Sequence, residues 1–96
     1  GGITIAELYD NKEKYDGKTI LIKGKITNAN LGIMDKNWFH IQDGTSTNDG
    51  FDLTITTDDE EIKVDDVVTF EGMITLDKDF GYGYKYDIIM EDATKK

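Results

Sequence analysis

The chain has 96 residues, a length that fits one domain with a single modest core. It contains no Cys, which excludes disulfides and thiolate metal sites, and no apolar run approaches the roughly 20 residues that a membrane-spanning helix needs. The formal net charge is −9, from 20 acidic residues and 11 basic residues that are all Lys, which argues against general duplex-DNA binding and favours a cationic ligand, a protein partner or simply a soluble surface.

A short helix is the first element that the sequence predicts, over about residues 5–14. Thr4 and Glu7 have the spacing of a capping box, in which a Thr caps the helix and a Glu follows three residues later. Apolar residues then recur at helical spacing, and Asp16-Gly17 ends the helix.

After Gly17 the hydrophobic period changes to two, which predicts five strands joined by turns. The predicted strands are 20–27, 37–42, 51–57, 67–76 and 84–91. Between them we expect a turn over 28–36, a polar loop over 43–50, an acidic connection over 57–66 with a short β segment at 62–64, and a loop over 77–83. Residues 93–96 should fray.

Gly24 and Gly72 each fall on the inward register, midway along a long predicted strand. A strand without a side chain at that point can bend sharply and serve both sides of a closed sheet. The fold class predicted is therefore all-β with one short N-terminal helix, as a five-stranded OB-fold Greek-key barrel. We expect one domain over 1–96, with the barrel over about 18–91.

Several segments resemble a known family. The chain is similar to the OB-fold core of the nucleic-acid-binding anticodon-domain superfamily, and more closely to small bacterial OB-fold proteins described as nucleic-acid-binding lipoproteins or secreted proteins. The resemblance is carried by Trp38-Phe39-His40-Ile41-Gln42-Asp43-Gly44-Thr45, Asp66-Val67-Val68-Thr69, and Asp77-Lys78-Asp79-Phe80-Gly81 with Gly83-Tyr84. The chain departs from the family pattern at Asp35 and Asp65, where Gly is expected, and at Tyr82, where Ala is expected.

The resemblance implies an extracytoplasmic location, secreted or lipid-anchored, and single-stranded nucleic acid as a ligand. The chain begins Gly1-Gly2-Ile3 without a Met, a start compatible with a targeting segment that has been removed.

The outer face of the second and third strands, where OB barrels commonly bind, is the predicted ligand site. An exposed Trp38 beside two Lys residues would form a stacking and charge platform for a single strand. Alternatively, Trp38 packs beneath the N-terminal helix or a loop. The candidate ligand-binding residues are Trp38, His40, Gln42, Lys23, Lys25, Thr54 and Tyr82.

An aromatic run with interleaved glycines lies between the fourth and fifth predicted strands, at Phe80, Tyr82, Tyr84 and Tyr86. It could stack on a ligand at the barrel mouth. In the structural alternative, Phe80 and Tyr84 plug the end of the barrel and Tyr86 enters the core.

No nucleophile and base stand at a recognised spacing, and a lone His40 without Cys makes a poor transition-metal site. Three Asp residues bracket the 43–50 loop, but their spacing fits no standard calcium loop and is typical of turns. We therefore expect a non-enzymatic binding module with no catalytic residues, cofactor or metal. The alternative to nucleic acid is a protein or cationic small molecule bound at an acidic rim formed by Asp43, Asp49, Asp58 and Asp59.

Overall fold

The computed structural model describes residues 2–48 and 50–96 as two short helices followed by five strands. The sheet closes on itself in the order β1-β2-β3-β5-β4. This confirms the prediction of a β-rich fold with five strands in a closed sheet. The elements are α1 Ile5–Asp10, α2 Lys12–Tyr15, β1 Thr19–Ile33, β2 Lys36–Gln42, β3 Leu53–Thr57, β4 Val67–Asp79 and β5 Lys85–Lys95.

The predicted single helix is two helices, because the chain breaks at Asn11, whose φ is −129°. The predicted start is confirmed: the Thr4 hydroxyl accepts a hydrogen bond from the Glu7 N–H at 3.0 Å. Ile5 and Leu8 are fully buried in the core, so α1 packs its apolar face against the interior of the sheet.

Strand β1 is longer than predicted and runs through the expected turn at 28–36. Its first half, from Thr19 to Lys25, pairs with β4, and its second half pairs with β2. A register shift between Ile26 and Asn28 lets one strand change partners. The turn is confined to Met34 and Asp35, whose φ values are +52° and +62°.

The C-terminal end is ordered, so the prediction of fraying at 93–96 is wrong. Thr94 and Lys95 pair with β4, and the Lys96 N–H donates to the Thr69 carbonyl at 2.8 Å. Period-two alternation could not extend β5 this far, since Asp92 has a φ of +52° and breaks the pattern. Strand β5 also closes the sheet through a short parallel pairing with β3, Thr54 with Ile89 and Ile55 with Met90.

The acidic connection contains no strand at 62–64, contrary to the prediction. It is instead held against β1 by two backbone hydrogen bonds. The Asp65 N–H donates to the Ile26 carbonyl and the Ile26 N–H to the Asp66 carbonyl, both at 2.8 Å. Buried Ile62 anchors the connection to the core.

Gly24 and Gly72 are both buried, as the inward register predicts. A Cβ on Gly72 would lie 2.5 Å from Met90 Cγ and 3.1 Å from the Ala93 Cα, and one on Gly24 would lie 3.0 Å from the Gln42 carbonyl oxygen. Their absent side chains allow the strands to approach closely. The interior that they help to close is filled mainly by Ile22, Ile26, Phe39, Ile41, Leu53, Ile55, Phe70, Ile74 and Met90.

Candidate functional site

Trp38 is not an exposed platform, which corrects that expectation and agrees with the alternative in which Trp38 is covered. It alternates with the core residue Phe39 and therefore faces outward, yet only 4% of its surface is accessible. Its Nε1 donates to the Ile33 carbonyl at 2.8 Å. Its cover includes aromatic rings from the β4–β5 hairpin.

The covering rings belong to the β4–β5 arm, which we define as residues 77–87. Tyr86 stacks on Trp38 at 5.7 Å between ring centroids, Phe80 meets it edge-on at 5.0 Å, and Tyr84 lies at 6.3 Å. Burial, together with the nearby Tyr84, raises the pKa of Tyr86. Phe80 and Tyr84 thus pack on the outward-facing Trp38, although Tyr84 remains 40% exposed, and Tyr86 does not belong to the core cluster.

Two features hold and shape the arm. Lys78 Nζ lies 3.6 Å from Glu91 Oε1, a buried carboxylate oxygen on β5. At the tip, Gly81, Tyr82 and Gly83 all have positive φ values, between +55° and +84°. Tyr82 is 94% exposed there, apart from the other candidate site residues.

His40 and Thr54 face each other across β2 and β3, as predicted, but His40 has a partner and Thr54 is covered. His40 Nδ1 lies 3.1 Å from Asp52 Oδ2, and Thr54 is buried. Asp52 in turn accepts a hydrogen bond at its carbonyl from the Tyr9 hydroxyl at 2.7 Å. This half of the predicted face therefore ties the sheet to α1 instead of standing free.

The other half of the predicted face is open. Lys23, Lys25 and Gln42 together line a groove of about 900 Å³ on the outer side of β1, which we call the β1 groove. The two lysines flank inward-facing Gly24, and Gln42 lies opposite Lys25. The predicted grouping of these three residues is thus present in the structure, separate from Trp38.

Apolar side chains that the sequence analysis did not single out line the same groove, and two of them pair with β1. Ile3 forms a parallel bridge with Ile22, and Val67 pairs with Lys25 across β1 and β4. Val64 enters the groove from the connection before β4. Alternation could have identified Val67, because an inward Val68 forces its neighbour outward.

The two lysines of the groove differ in whether they form an ion pair. Lys25 Nζ lies 3.6 Å from Asp65 Oδ1, and both side chains are exposed. Within residues 2–48 and 50–96, Lys23 forms no ion pair. Lys23 is therefore the lysine of the groove whose charge is available to a ligand.

Asp43 is a structural residue, which weakens the predicted acidic rim. Its carboxylate accepts hydrogen bonds from the Ile5 N–H at 2.8 Å and the Thr45 N–H at 3.0 Å, and so fastens the start of α1 to the end of β2. Burial by itself would raise the pKa of Asp43, but the hydrogen bonds from the Thr45 hydroxyl and from these N–H groups outweigh it and lower the pKa.

The remaining members of the rim are dispersed. Asp49 lies outside the described residues. Asp58 and Asp59 border a smaller hollow of about 270 Å³ with Asp92, and the Asp59 carboxylate accepts a hydrogen bond from the Glu61 N–H. In the part of the chain that the structure describes, no group of three or more His, Cys, Asp or Glu side chains is arranged to hold a metal ion.

Neither of the two described helices has the length and apolar character required to cross a membrane. No protein-family model matches the chain, and no curated protein matches it in sequence.

Proposed function

We propose that this chain is a non-catalytic binding module with an OB-type sheet, and that its ligand occupies the β1 groove. The observation that carries the proposal is the β1 groove itself. It has a volume of about 900 Å³ and is lined by exposed Lys23 and Lys25, by Gln42 and by three aliphatic side chains. Pockets of roughly 300–1,000 Å³, mostly apolar with a few polar groups, are the usual form of small-ligand sites.

The strand arrangement supports the OB assignment. Five strands close in the order β1-β2-β3-β5-β4, and the long first strand is shared between β2 and β4. The family pattern expects glycine at Asp35 and Asp65, and their φ values of +62° and +78° lie in the region that favours glycine. By the same resemblance we propose an extracytoplasmic location.

The β4–β5 arm explains why the ligand site is in the β1 groove and not across the whole outer face. OB-type proteins commonly bind along strands two and three between flanking loops. In this chain that stretch is occupied by the stack of Trp38, Phe80 and Tyr86. The open part of the face is the part beside β1.

Single-stranded nucleic acid, the ligand implied by the resemblance, is the weaker candidate for this groove. Such binding usually combines a positive channel with aromatic rings that stack on bases. The residues that line the groove include no aromatic side chain, and the chain has a net charge of −9. Nucleic acid is therefore included as one arm of the test.

The test is a titration of ¹⁵N-labelled protein followed by NMR with four separate probes: decanoate, decanol, decyltrimethylammonium and a short oligothymidylate. We expect at least one probe to shift the amide signals of Lys23, Gly24, Lys25 and Gln42. Val67→Asp should abolish the response to decanoate, decanol or oligothymidylate, because it places a negative charge among the aliphatic side chains of the groove; the cationic probe alone would gain an attraction.

Met73→Asp is the matched control, since Met73 is another exposed apolar residue of β4 but does not line the groove. It should leave the response unchanged. If none of the four probes moves the groove signals, the groove is not a binding site and the proposal fails. A probe recovered in chemically altered form would refute the non-catalytic part.

A further inference from the structure

We propose that the β1 groove takes an amphiphile with one anionic head group and a short apolar chain. Lys23 binds the head group, and Ile3, Val64 and Val67 hold the chain. This inference rests on the proposed function and narrows it to one class of ligand.

Exposed aliphatic side chains form the apolar part of the groove. Val67 is 62% exposed and Val64 is 49% exposed, and the two line the groove together with Ile3. Single exposed aliphatic residues are ordinary on protein surfaces, but neighbouring ones in a concavity are typical of binding sites. Covering these side chains with an alkyl chain removes apolar surface from water, which is favourable in proportion to the area covered.

The position of Lys23 supplies the polar half. Lys23 pairs with Thr69 and Lys25 with Val67, so Lys23 and Val67 are diagonal neighbours on the outward face of the β1–β4 ladder. Such neighbours lie about 7–8 Å apart. A head group on Lys23 can therefore continue directly into a chain over Val67 and Val64.

Charge complementarity selects an anion over a cation. The Asp65 carboxylate is paired with Lys25, and the Asp43 carboxylate is occupied by N–H groups of Ile5 and Thr45. Lys23 is left as a cation without an ion pair among the described residues, in a chain whose net charge is −9. The lining as a whole is formally neutral, because Asp43 keeps its charge while it accepts these hydrogen bonds, so the anion site is Lys23 itself, the lysine of the groove without an ion pair among the described residues.

Three of the probes above share a ten-carbon chain and differ in head group, so they isolate the charge. We expect decanoate to bind more tightly than decanol, and decyltrimethylammonium to bind least, as measured from the groove amide shifts. Lys23→Gln should weaken decanoate binding about tenfold, the size expected for a hydrogen bond to a charged group, and leave decanol binding unchanged.

Lys18→Gln is the matched control, because Lys18 is an exposed lysine just before β1 that does not line the groove. It removes the same charge from the molecule and should leave decanoate binding unchanged. If Lys18→Gln weakens decanoate as much as Lys23→Gln does, the effect is one of net charge and the assignment to Lys23 is wrong.

The results distinguish a wrong ligand class from a groove that binds nothing. If decanol or decyltrimethylammonium binds in the groove as tightly as decanoate, the groove is a binding site but the anionic class is wrong. If only the oligothymidylate shifts the groove signals, the ligand is a nucleic acid. If no probe shifts them, the proposed function fails together with this inference.

Discussion

Asp35 and Asp65 adopt backbone conformations that are costly for most residues with a side chain. Their φ values are +62° and +78°, and Asp and Asn are the residue types that tolerate this region best after glycine. At Asp65 the conformation serves a purpose, because the N–H there bonds to Ile26 and the carboxylate reaches Lys25. Asp65 therefore adds a negative charge and also forms part of the wall of the groove.

Tyr9 gives a residue-scale prediction about pH. Burial, followed by the charges of Asp52 and Asp87, raises the pKa of Tyr9 to about 12 from its ordinary value of 10.0. The stabilising contribution of Tyr9 is therefore complete below pH 10 and is lost as the pH rises toward 12, because the unfolded chain releases its proton first. We expect the free energy of unfolding to fall more steeply across this interval in the wild type than in Tyr9→Phe.

Denaturant titrations at pH 7 and between pH 10 and 12 measure this difference. At pH 7, Tyr9→Phe should be less stable by about 1 kcal/mol, because it loses the hydrogen bond to the Asp52 carbonyl. Tyr82→Phe is the control, since Tyr82 is almost fully exposed. Parallel pH profiles for wild type and Tyr9→Phe would contradict the assigned environment of Tyr9.

At the scale of elements, the β4–β5 arm decides which part of the outer face is accessible. Asp77, with a φ of +51°, interrupts the extended backbone at the base of the arm. Beyond this point Phe80 and Tyr86 pack on Trp38, and Lys78 reaches back to Glu91 on the body of the sheet. The arm is therefore held by aromatic packing and one ion pair.

Phe80→Ala should loosen the arm and expose Trp38. Trp38 is the chain's one tryptophan, so its fluorescence reports this surface directly. We expect acrylamide to quench the variant more strongly than the wild type, with a red-shifted emission, and stability to fall by about 3 kcal/mol or less, because Phe80 is only partly buried.

Tyr82→Ala is the control for the arm, because it changes an exposed ring at the tip without touching Trp38. It should leave the quenching unchanged. If Phe80→Ala also leaves Trp38 protected from acrylamide, the cover does not depend on that ring, and the arm is held in some other way.

Comparison of the predicted and observed elements shows where sequence patterns are informative. Strands β2 and β3 are short and alternate cleanly, and their predicted positions agree with the structure within two residues. The ends of β1 and β5 were missed because bulged or left-handed residues, such as Asp92, break the alternation while pairing continues beyond them. Within the candidate site, alternation correctly grouped Lys23, Lys25 and Gln42, but it could not reveal that residues more than 40 positions away cover Trp38.

At the scale of the whole molecule, the net charge of −9 is the main electrostatic influence on stability. The ion pairs of the described residues join exposed or partly exposed side chains, apart from Lys78 with the mostly covered Glu91, and exposed pairs contribute little to stability. Repulsion among the acidic side chains is therefore only partly offset. This repulsion is screened by salt over about 8–10 Å at ordinary ionic strength.

Raising NaCl from about 10 mM to about 150 mM should therefore raise the melting temperature by a few degrees, because salt weakens the repulsion more than it weakens the few attractive pairs. Thermal unfolding followed by circular dichroism measures this shift. A Glu60→Gln, Glu61→Gln double variant, altered at two exposed sites, should melt at a higher temperature in low salt and respond less to NaCl. A melting temperature that falls on addition of salt would show that attraction outweighs repulsion.

The position of β5 has a consequence for how this protein is made. β5 is the last described strand along the chain, but it lies between β3 and β4 in the sheet. During synthesis from the N-terminus, the edges of β3 and β4 that pair with β5 stay unpaired until β5 has left the ribosome. Closure then joins segments distant in sequence, and such non-local pairing slows folding. The chain is therefore most exposed to aggregation in the interval before β5 docks between β3 and β4.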